Sequence, residues 1–153
     1  MKVLNLPEYK FRLRNNPEGK TEVFDTIRKR YYILTPEEWV RQNFIQYLIQ
    51  EKQYPASLMA VEKGLKLNGM QRRTDIVQYN KQGRPVLIVE CKAPEIKLSQ
   101  DTFDQAARYN MTLQVDYLII TNGLEHFACK MDYTEHKIQF LKEIPTFEDI
   151  NNE

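Results

Sequence analysis

No stretch of this 153-residue chain approaches the ~20 consecutive apolar residues of a membrane-spanning helix. The opening Met1-Lys2-Val3-Leu4-Asn5-Leu6-Pro7 is too short for the apolar part of a secretory signal. Both absences point to a cytoplasmic protein with no membrane partner. An excess of positive charge is also missing: 22 Lys and Arg meet 21 Asp and Glu, for a net charge of +1. The strongly basic profile of a dedicated DNA-binding domain is therefore excluded, and any nucleic-acid contact has to come from a local patch. Cysteine is scarce. Cys91 and Cys129 both sit in apolar, strand-like contexts and read as reduced core thiols. Histidine is as scarce; His126 and His136 have no ligand-like spacing and read as surface residues. There is no internal repeat and no low-complexity tract, and the length fits one domain with its own core.

What the chain does have is concentrated between residues 72 and 92. Arg72-Arg73-Thr74-Asp75-Ile76-Val77 reads as a strand that opens on a carboxylate. Asn80-Lys81-Gln82-Gly83-Arg84-Pro85 has the Gly and Pro of a turn. Val86-Leu87-Ile88-Val89 is an aliphatic run suited to a strand buried on both faces, and it ends in Glu90-Cys91-Lys92. Charged residues are seldom fully buried unless paired or metal-bound, so nothing about a core strand requires that ending. Glu-x-Lys alone means little, since it occurs five times in the chain, at Glu8, Glu18, Glu90, Glu95 and Glu135. Glu90 differs in sitting at the end of an aliphatic strand with Asp75 on the strand before it. Residues two apart on a strand share a face, so Glu90 and Lys92 point one way and Cys91 the other.

Around this pair, short strands are expected at Tyr9–Leu13, Thr21–Asp25 and Lys29–Leu34, with a turn at Asn15–Gly19 and no chemistry. They read as a β-appendage that packs on the core or docks a partner. Thr35-Pro36-Glu37-Glu38 starts a helix with an N-cap, a first-position Pro and a Glu to close a capping box; it should run to about Lys52. Val40, Phe44, Tyr47 and Leu48 form its apolar stripe. Glu37 falls on that stripe and Glu38 away from it, so Glu38 reads as a cap. Glu37 reads either as a dipole-favoured carboxylate or as a residue leaning toward the site. A strand over Ser57–Leu67 carries Glu62, read as solvent-facing, and ends in an Asn68-Gly69 hairpin turn. A helix is expected from Gln100 to Leu113, then a buried strand at Asp116–Thr121, a tight turn at Asn122-Gly123, a strand through Cys129 and an edge strand at His136–Leu141. The tail from Glu143 reads as acidic and frayed. The order gives an α/β domain: an appendage over residues 1–34, a core of mixed sheet flanked by helices over 35–142, and a tail over 143–153.

Asp75 followed by Glu90-Cys91-Lys92 resembles the PD-(D/E)xK nuclease superfamily, with Thr74 where the superfamily's name has Pro. Within it, Thr35 to Lys130 resembles the N-terminal nuclease domain of type I restriction enzyme R (HsdR) subunits, chiefly through Arg73–Val77 and Val89–Pro94. The resemblance implies a restriction-endonuclease-like fold and Mg-dependent hydrolysis of phosphodiester bonds in DNA. Asp75, Glu90 and the Cys91 backbone carbonyl would hold Mg²⁺, with Mn²⁺ able to substitute. Lys92 would orient or deprotonate the attacking water. Glu37 and Arg41 match a Glu four residues before an Arg found on this helix in R subunits. Gln105 and Tyr109 share a helix face and match the Gln-x-x-x-Tyr of RecB-like nucleases, which implies that they face the Glu90–Lys92 end and position Lys92, water or phosphate. Arg72, Arg73 and Lys97 are candidate backbone contacts.

R subunits carry an ATP-driven motor after this domain. The sequence here has none, which suggests a free-standing nuclease domain or a partner of a motor or other protein subunit. Cutting two strands with one site per chain would favour a homodimer. Two other readings stay open. One is a catalytically silent nuclease-like module that binds nucleic acid or a protein partner. The other is a structural domain in which Asp75 and Glu90 are answered by Arg73 and Lys92 as a salt-bridged strand end, with no metal bound.

Overall fold

The computed structural model describes residues 1–67 and 69–151, with the backbone alone at 65–67 and 70–72. Asn68, and with it half of the expected hairpin turn, lies outside the described residues, as does the side chain of Arg72. Two sheets form. The first is three-stranded and antiparallel, in the order β1 (Leu13–Asn15), β2 (Thr21–Asp25), β3 (Arg30–Ile33). The second is six-stranded and runs in sequence order: β4 (Met59–Leu67), β5 (Met70–Tyr79), β6 (Pro85–Cys91), β7 (Tyr117–Thr121), β8 (His126–Asp132) and β9 (Lys137–Leu141). All neighbours are antiparallel except β6 and β7, which are parallel because α2 (Gln100–Leu113) connects them. A third, short helix, α3, spans Phe147–Ile150.

The helix α1 (Pro36–Lys52) covers one face of the large sheet. Val40, Phe44, Ile45 and Leu48 meet Ile76, Leu87, Val89, Cys91 and Ile119 there. On the other face Phe103, Ala106 and Ala107 of α2 meet Leu118, Ile120 and Cys129. Val77 and Ile88 pack with Leu113 and Val115 on that second side. The aliphatic run of β6 is thus divided between two cores, as an unbroken apolar strand requires. Thr35 caps α1 by accepting the Glu38 amide at 3.1 Å. Glu38 does not close a capping box: the Thr35 amide bonds the Ile33 carbonyl, and the Glu38 carboxylate is buried among cations.

Four expectations need correction. The first strand starts at Leu13 and not Tyr9, because Phe11 leaves the pattern to pack edge-on against Trp39, ring centres 5.6 Å apart. The tail is not frayed before residue 151: Thr146 and Asp149 form a capping box on α3, which buries Phe147 and Ile150. His126 is half-buried; its ring nitrogens bond Thr121 Oγ1 at 2.7 Å and the Asn5 carbonyl at 3.0 Å. Glu62 does not simply face solvent, but pairs with two arginines.

The N-terminal arm closes over the Asn122-Gly123 turn, where the Asn5 amide donates to the Gly123 carbonyl at 2.8 Å. Gly123 has φ +86°, and a Cβ there would lie 2.7 Å from Leu4 Cδ2 and 3.2 Å from Val40 Cγ2. Gly123→Ala should therefore destabilise the fold by about 1–3 kcal/mol, through left-handed strain and displacement of Leu4. Urea unfolding measures this, and an unchanged midpoint would contradict the packing described.

Candidate functional site

The register places the candidate residues. Ile76 pairs with Val89, so Asp75 and Glu90 are the next cross-strand positions, and Val61–Ile76 with Lys63–Thr74 put Glu62 across from Asp75 on its other side. Val89 and Cys91 pack under α1, so alternation turns Glu90 and Lys92 to the opposite face. Lys92 is held just past the strand end by its amide, which donates to the Thr121 carbonyl at 2.8 Å. Its Nζ lies 3.5 Å from Glu90 Oε2. Glu37, Arg73, Asp75, Glu90 and Lys92 line one open cleft of about 220 Å³.

Behind the cleft sits Arg41, whose side chain is 4 % exposed. Its Nη2 donates to Asp75 Oδ1 at 2.7 Å and to Glu37 Oε2 at 2.9 Å, with Glu62 Oε1 at 3.0 Å. Its Nη1 donates to Glu38 Oε1 at 2.6 Å. Burial alone would lower the Arg41 pKa, but the bond to Asp75 and the charges of Glu38 and Asp75 more than reverse this and hold it above its ordinary value. The other Asp75 oxygen accepts the Cys91 amide at 2.8 Å. Arg28 carries the network to the small sheet: it donates to Glu38 at 2.9 Å and to Asp25 at 2.7 Å, and Gln42 bridges the same two carboxylates.

Carboxylates outnumber cations at the cleft and its back wall: Glu37, Glu38, Glu62, Asp75 and Glu90 against Arg41, Arg73 and Lys92. Glu37 registers the excess. Its pKa is raised, first by burial and next by the charge of Asp75, while Arg41 and Lys92 act against the shift. The Cys91 thiol is driven well above its usual pKa by burial and then by Asp75, so the sulfur stays protonated and only the carbonyl is a ligand candidate. Among the described residues no group of three or more His, Cys, Asp or Glu side chains forms a ready-made metal cage. Two carboxylates and a carbonyl nonetheless make an all-oxygen donor set of the kind that fits a hard divalent cation keeping several waters.

Not every candidate lines this cleft. Gln105 and Tyr109 share an exposed face of α2 and line a separate depression with Arg108 and Thr112. Lys97 is exposed on the loop after β6. Arg73 reaches Glu62 at 3.1 Å at the cleft rim. Glu37 lines the cleft and Glu38 lies behind it. Sequence reasoning missed Glu62, Arg28, Asp25 and Gln42. The available signal was that Glu38, Arg41 and Gln42 are spaced at three and four residues on a helix side that the buried Ile45 continues. An apolar depression beside Phe103, Phe127 and Phe140 has no ionisable lining residue.

The family model "Type I restriction enzyme R protein N terminus" matches residues 36–145. Among solved structures, the chain is similar to a fragment of a protein assigned as an HsdR subunit of a type I restriction enzyme from Vibrio vulnificus YJ016. Identity is 22 % and the TM-score 0.53, over 76 % of this chain and 24 % of that one. That likeness shows the fold: a mixed α/β domain with a six-stranded sheet flanked by helices. The chain spans about a quarter of that protein's length. No curated protein matches the chain.

Two outcomes follow from the network. Arg41→Gln leaves Glu38 buried without its main cation and should cost about 3–5 kcal/mol in urea unfolding, the penalty for breaking a buried pair on one side. A loss below about 1 kcal/mol would mean that the carboxylates do not depend on Arg41. For Glu37 the folded pKa is raised above 4.5, so the folded state holds more protons in the window just above that value, and stability falls as pH rises through it. Glu37→Gln should therefore raise the melting temperature slightly at pH 7 and leave it unchanged below pH 4. A gain of equal size at both pH values would contradict this origin.

Proposed function

The chain belongs to the type I restriction enzyme R protein N-terminal family, and from that premise we propose that it is a metal-dependent nuclease domain of the PD-(D/E)xK type that hydrolyses phosphodiester bonds in DNA. The observation that carries the reading is the convergence of Asp75, Glu90 and Lys92 on one cleft at the end of β5 and β6. Asp75, Glu90 and the Cys91 carbonyl would hold Mg²⁺ or Mn²⁺. When bound, the ion supplies charge neutralisation at phosphorus and a more acidic water. Lys92 is tethered at its amide and half-exposed, so on the Glu90 side of the cleft its ammonium can donate a hydrogen bond to a water, or its neutral amine can accept that water's proton. Arg41 does not touch the reacting atoms in this reading; it is a positioning residue that orients Asp75 from behind while the Cys91 amide fixes the other oxygen. Glu37 adds a third carboxylate on the cleft wall, Arg73 supplies a phosphate contact at the rim, and Lys97 is a candidate phosphate contact from the loop after β6. Gln105 and Tyr109, expected to position Lys92, water or phosphate, line a separate depression, and no step is assigned to them.

A second reading draws on one specific feature. Both oxygens of Asp75 are already engaged, by Arg41 and by the Cys91 amide. That favours a silent nuclease-like module, which binds DNA or a partner subunit and does not cut.

Incubation with supercoiled, linear and single-stranded DNA, with Mg²⁺ or Mn²⁺ and with or without chelator, separates the two. Cleavage should need the metal. Lys92→Ala should fold normally and lose activity by about 10²–10⁴-fold, the contribution typical of a general acid–base group. Equal cutting by Lys92→Ala would remove Lys92 from the mechanism. No cutting of any DNA with either metal would replace the nuclease reading by the silent one.

A further inference from the structure

The acidic cleft raises a question of affinity. A wall on which carboxylates outnumber cations repels a phosphodiester before any metal arrives, so a chain that acts on DNA has to attract it elsewhere. The large sheet does not supply the charge. The first 34 residues carry eight Lys and Arg against four Asp and Glu, while the whole chain stands at 22 against 21, so the remainder is net acidic. Of those four acids, Asp25 is fully buried on Arg28 and Glu22 is bound to Arg14.

The small sheet arranges this charge on one face. Val23 and Asp25 of β2 are buried on the inner side. Their neighbours Glu22 and Phe24 face outward, and register puts Arg14 beside Glu22 and Tyr31 beside Phe24. Arg12 joins the same row, since its carbonyl accepts the Phe24 amide at 2.9 Å. The Arg12 guanidinium carbon stands 4.4 Å above the Phe24 ring and that of Arg14 stands 3.8 Å above Tyr31. The two rings meet edge to face at 5.2 Å. Stacking pre-orders the guanidinium planes and leaves the N–H edge of Arg12 and the terminal nitrogens of Arg14 available, Arg14 Nε being held by Glu22 at 2.7 Å; this is the geometry in which Arg recognises phosphate. Among the described residues Lys10, Arg12, Lys20, Lys29 and Arg30 are exposed and make no ion pair. The sheet is also fixed relative to the cleft, because Arg28 stacks at 3.5 Å on Tyr32 and bonds Glu38, which bonds Arg41, which bonds Asp75.

We propose that the outer face of β1–β3, centred on the stacked Arg12 and Arg14, is a DNA-backbone-binding surface that delivers the substrate to the acidic cleft. The choice of DNA as the polyanion rests on the nuclease reading. The contacts are to phosphate and carry no sequence preference.

Fluorescence anisotropy with a labelled 30-base-pair duplex, in chelator and across a salt series, tests this without any cleavage. Arg12→Ala/Arg14→Ala should weaken binding about 10-fold at low salt and reduce the slope of log K against log salt by about two, one per lost phosphate contact. Lys10→Ala/Lys20→Ala removes exposed side chains that make no ion pair among the described residues, so it should keep the fold and also lower the slope. Lys137→Ala/Lys142→Ala, at the far edge on and beside β9, should leave both quantities unchanged. Unchanged affinity and slope in the Arg12/Arg14 and Lys10/Lys20 variants overturns the proposal, as does binding of poly-glutamate by the intact chain without binding of DNA. Arginine-dependent binding by a chain that never cuts removes the nuclease reading and leaves this surface standing. Cutting that is indifferent to all three variants does the reverse.

Discussion

One guanidinium organises the centre of this molecule. Arg41 is buried, and Glu37, Glu38, Glu62 and Asp75 all lie within 3.0 Å of its terminal nitrogens. A buried cation is tolerated only when its hydrogen-bonding edges are met, and here the partners come from three elements. Glu37 and Glu38 are from its own helix, Glu62 from β4 and Asp75 from β5. Arg41 Nε is buried with no partner among the described residues, so even this arrangement leaves one donor unmet. Well-packed apolar residues often match or exceed the stability that a buried ion cluster contributes. Its presence is better explained by what it holds in place: a carboxylate at a strand end, aimed by a cation on one oxygen and a backbone amide on the other.

The rest of the fold supports that point. The parallel pairing of β6 and β7 lets Thr121 hold the Lys92 amide. The two cores on either face of β6 keep Val89 and Cys91 down and so turn Glu90 and Lys92 outward. The small N-terminal sheet, outside the span that the family model matches, is tied in through Arg28 and Asp25. It belongs to the same electrostatic unit as the cleft, and its sign is opposite: the cleft is acidic, the sheet basic. Under the proposed reading, this placement of charge separates attraction of a polyanion from the site where the polyanion would react.

Much of this was legible from residues alone. The aliphatic run ending in Glu90-Cys91-Lys92 read as a buried strand, and the period of two gave which side chains share a face. The Thr35-Pro36 start and the Val40, Phe44, Leu48 stripe located α1. What escaped were contacts between segments distant in sequence. Glu38 looked like a cap because one of its two cations, Arg28, belongs to a turn that only tertiary folding brings near. Glu62 looked solvent-facing because Arg41 comes from another element. Tyr9–Leu13 alternates like a strand, but the strand begins at Leu13 and Phe11 packs edge-on against Trp39. The acidic tail hid Thr146 and Asp149, a capping box that charge counting does not register. The spacing of Gln105 and Tyr109 gave their shared face; which part of the molecule that face opens on is a property of how α2 docks on β7.

The central claim is that Asp75 and Glu90 form the protein half of a divalent-cation site. The most direct measurement is anomalous diffraction from crystals of the intact chain grown or soaked in Mn²⁺. The account predicts one Mn²⁺ peak per chain, with a carboxylate oxygen of Asp75, one of Glu90 and the Cys91 carbonyl oxygen as its protein ligands, and Arg41 still bonded to Asp75. Asp75 bound only to Arg41 and the Cys91 amide at saturating Mn²⁺, with no anomalous peak in the cleft, would contradict it.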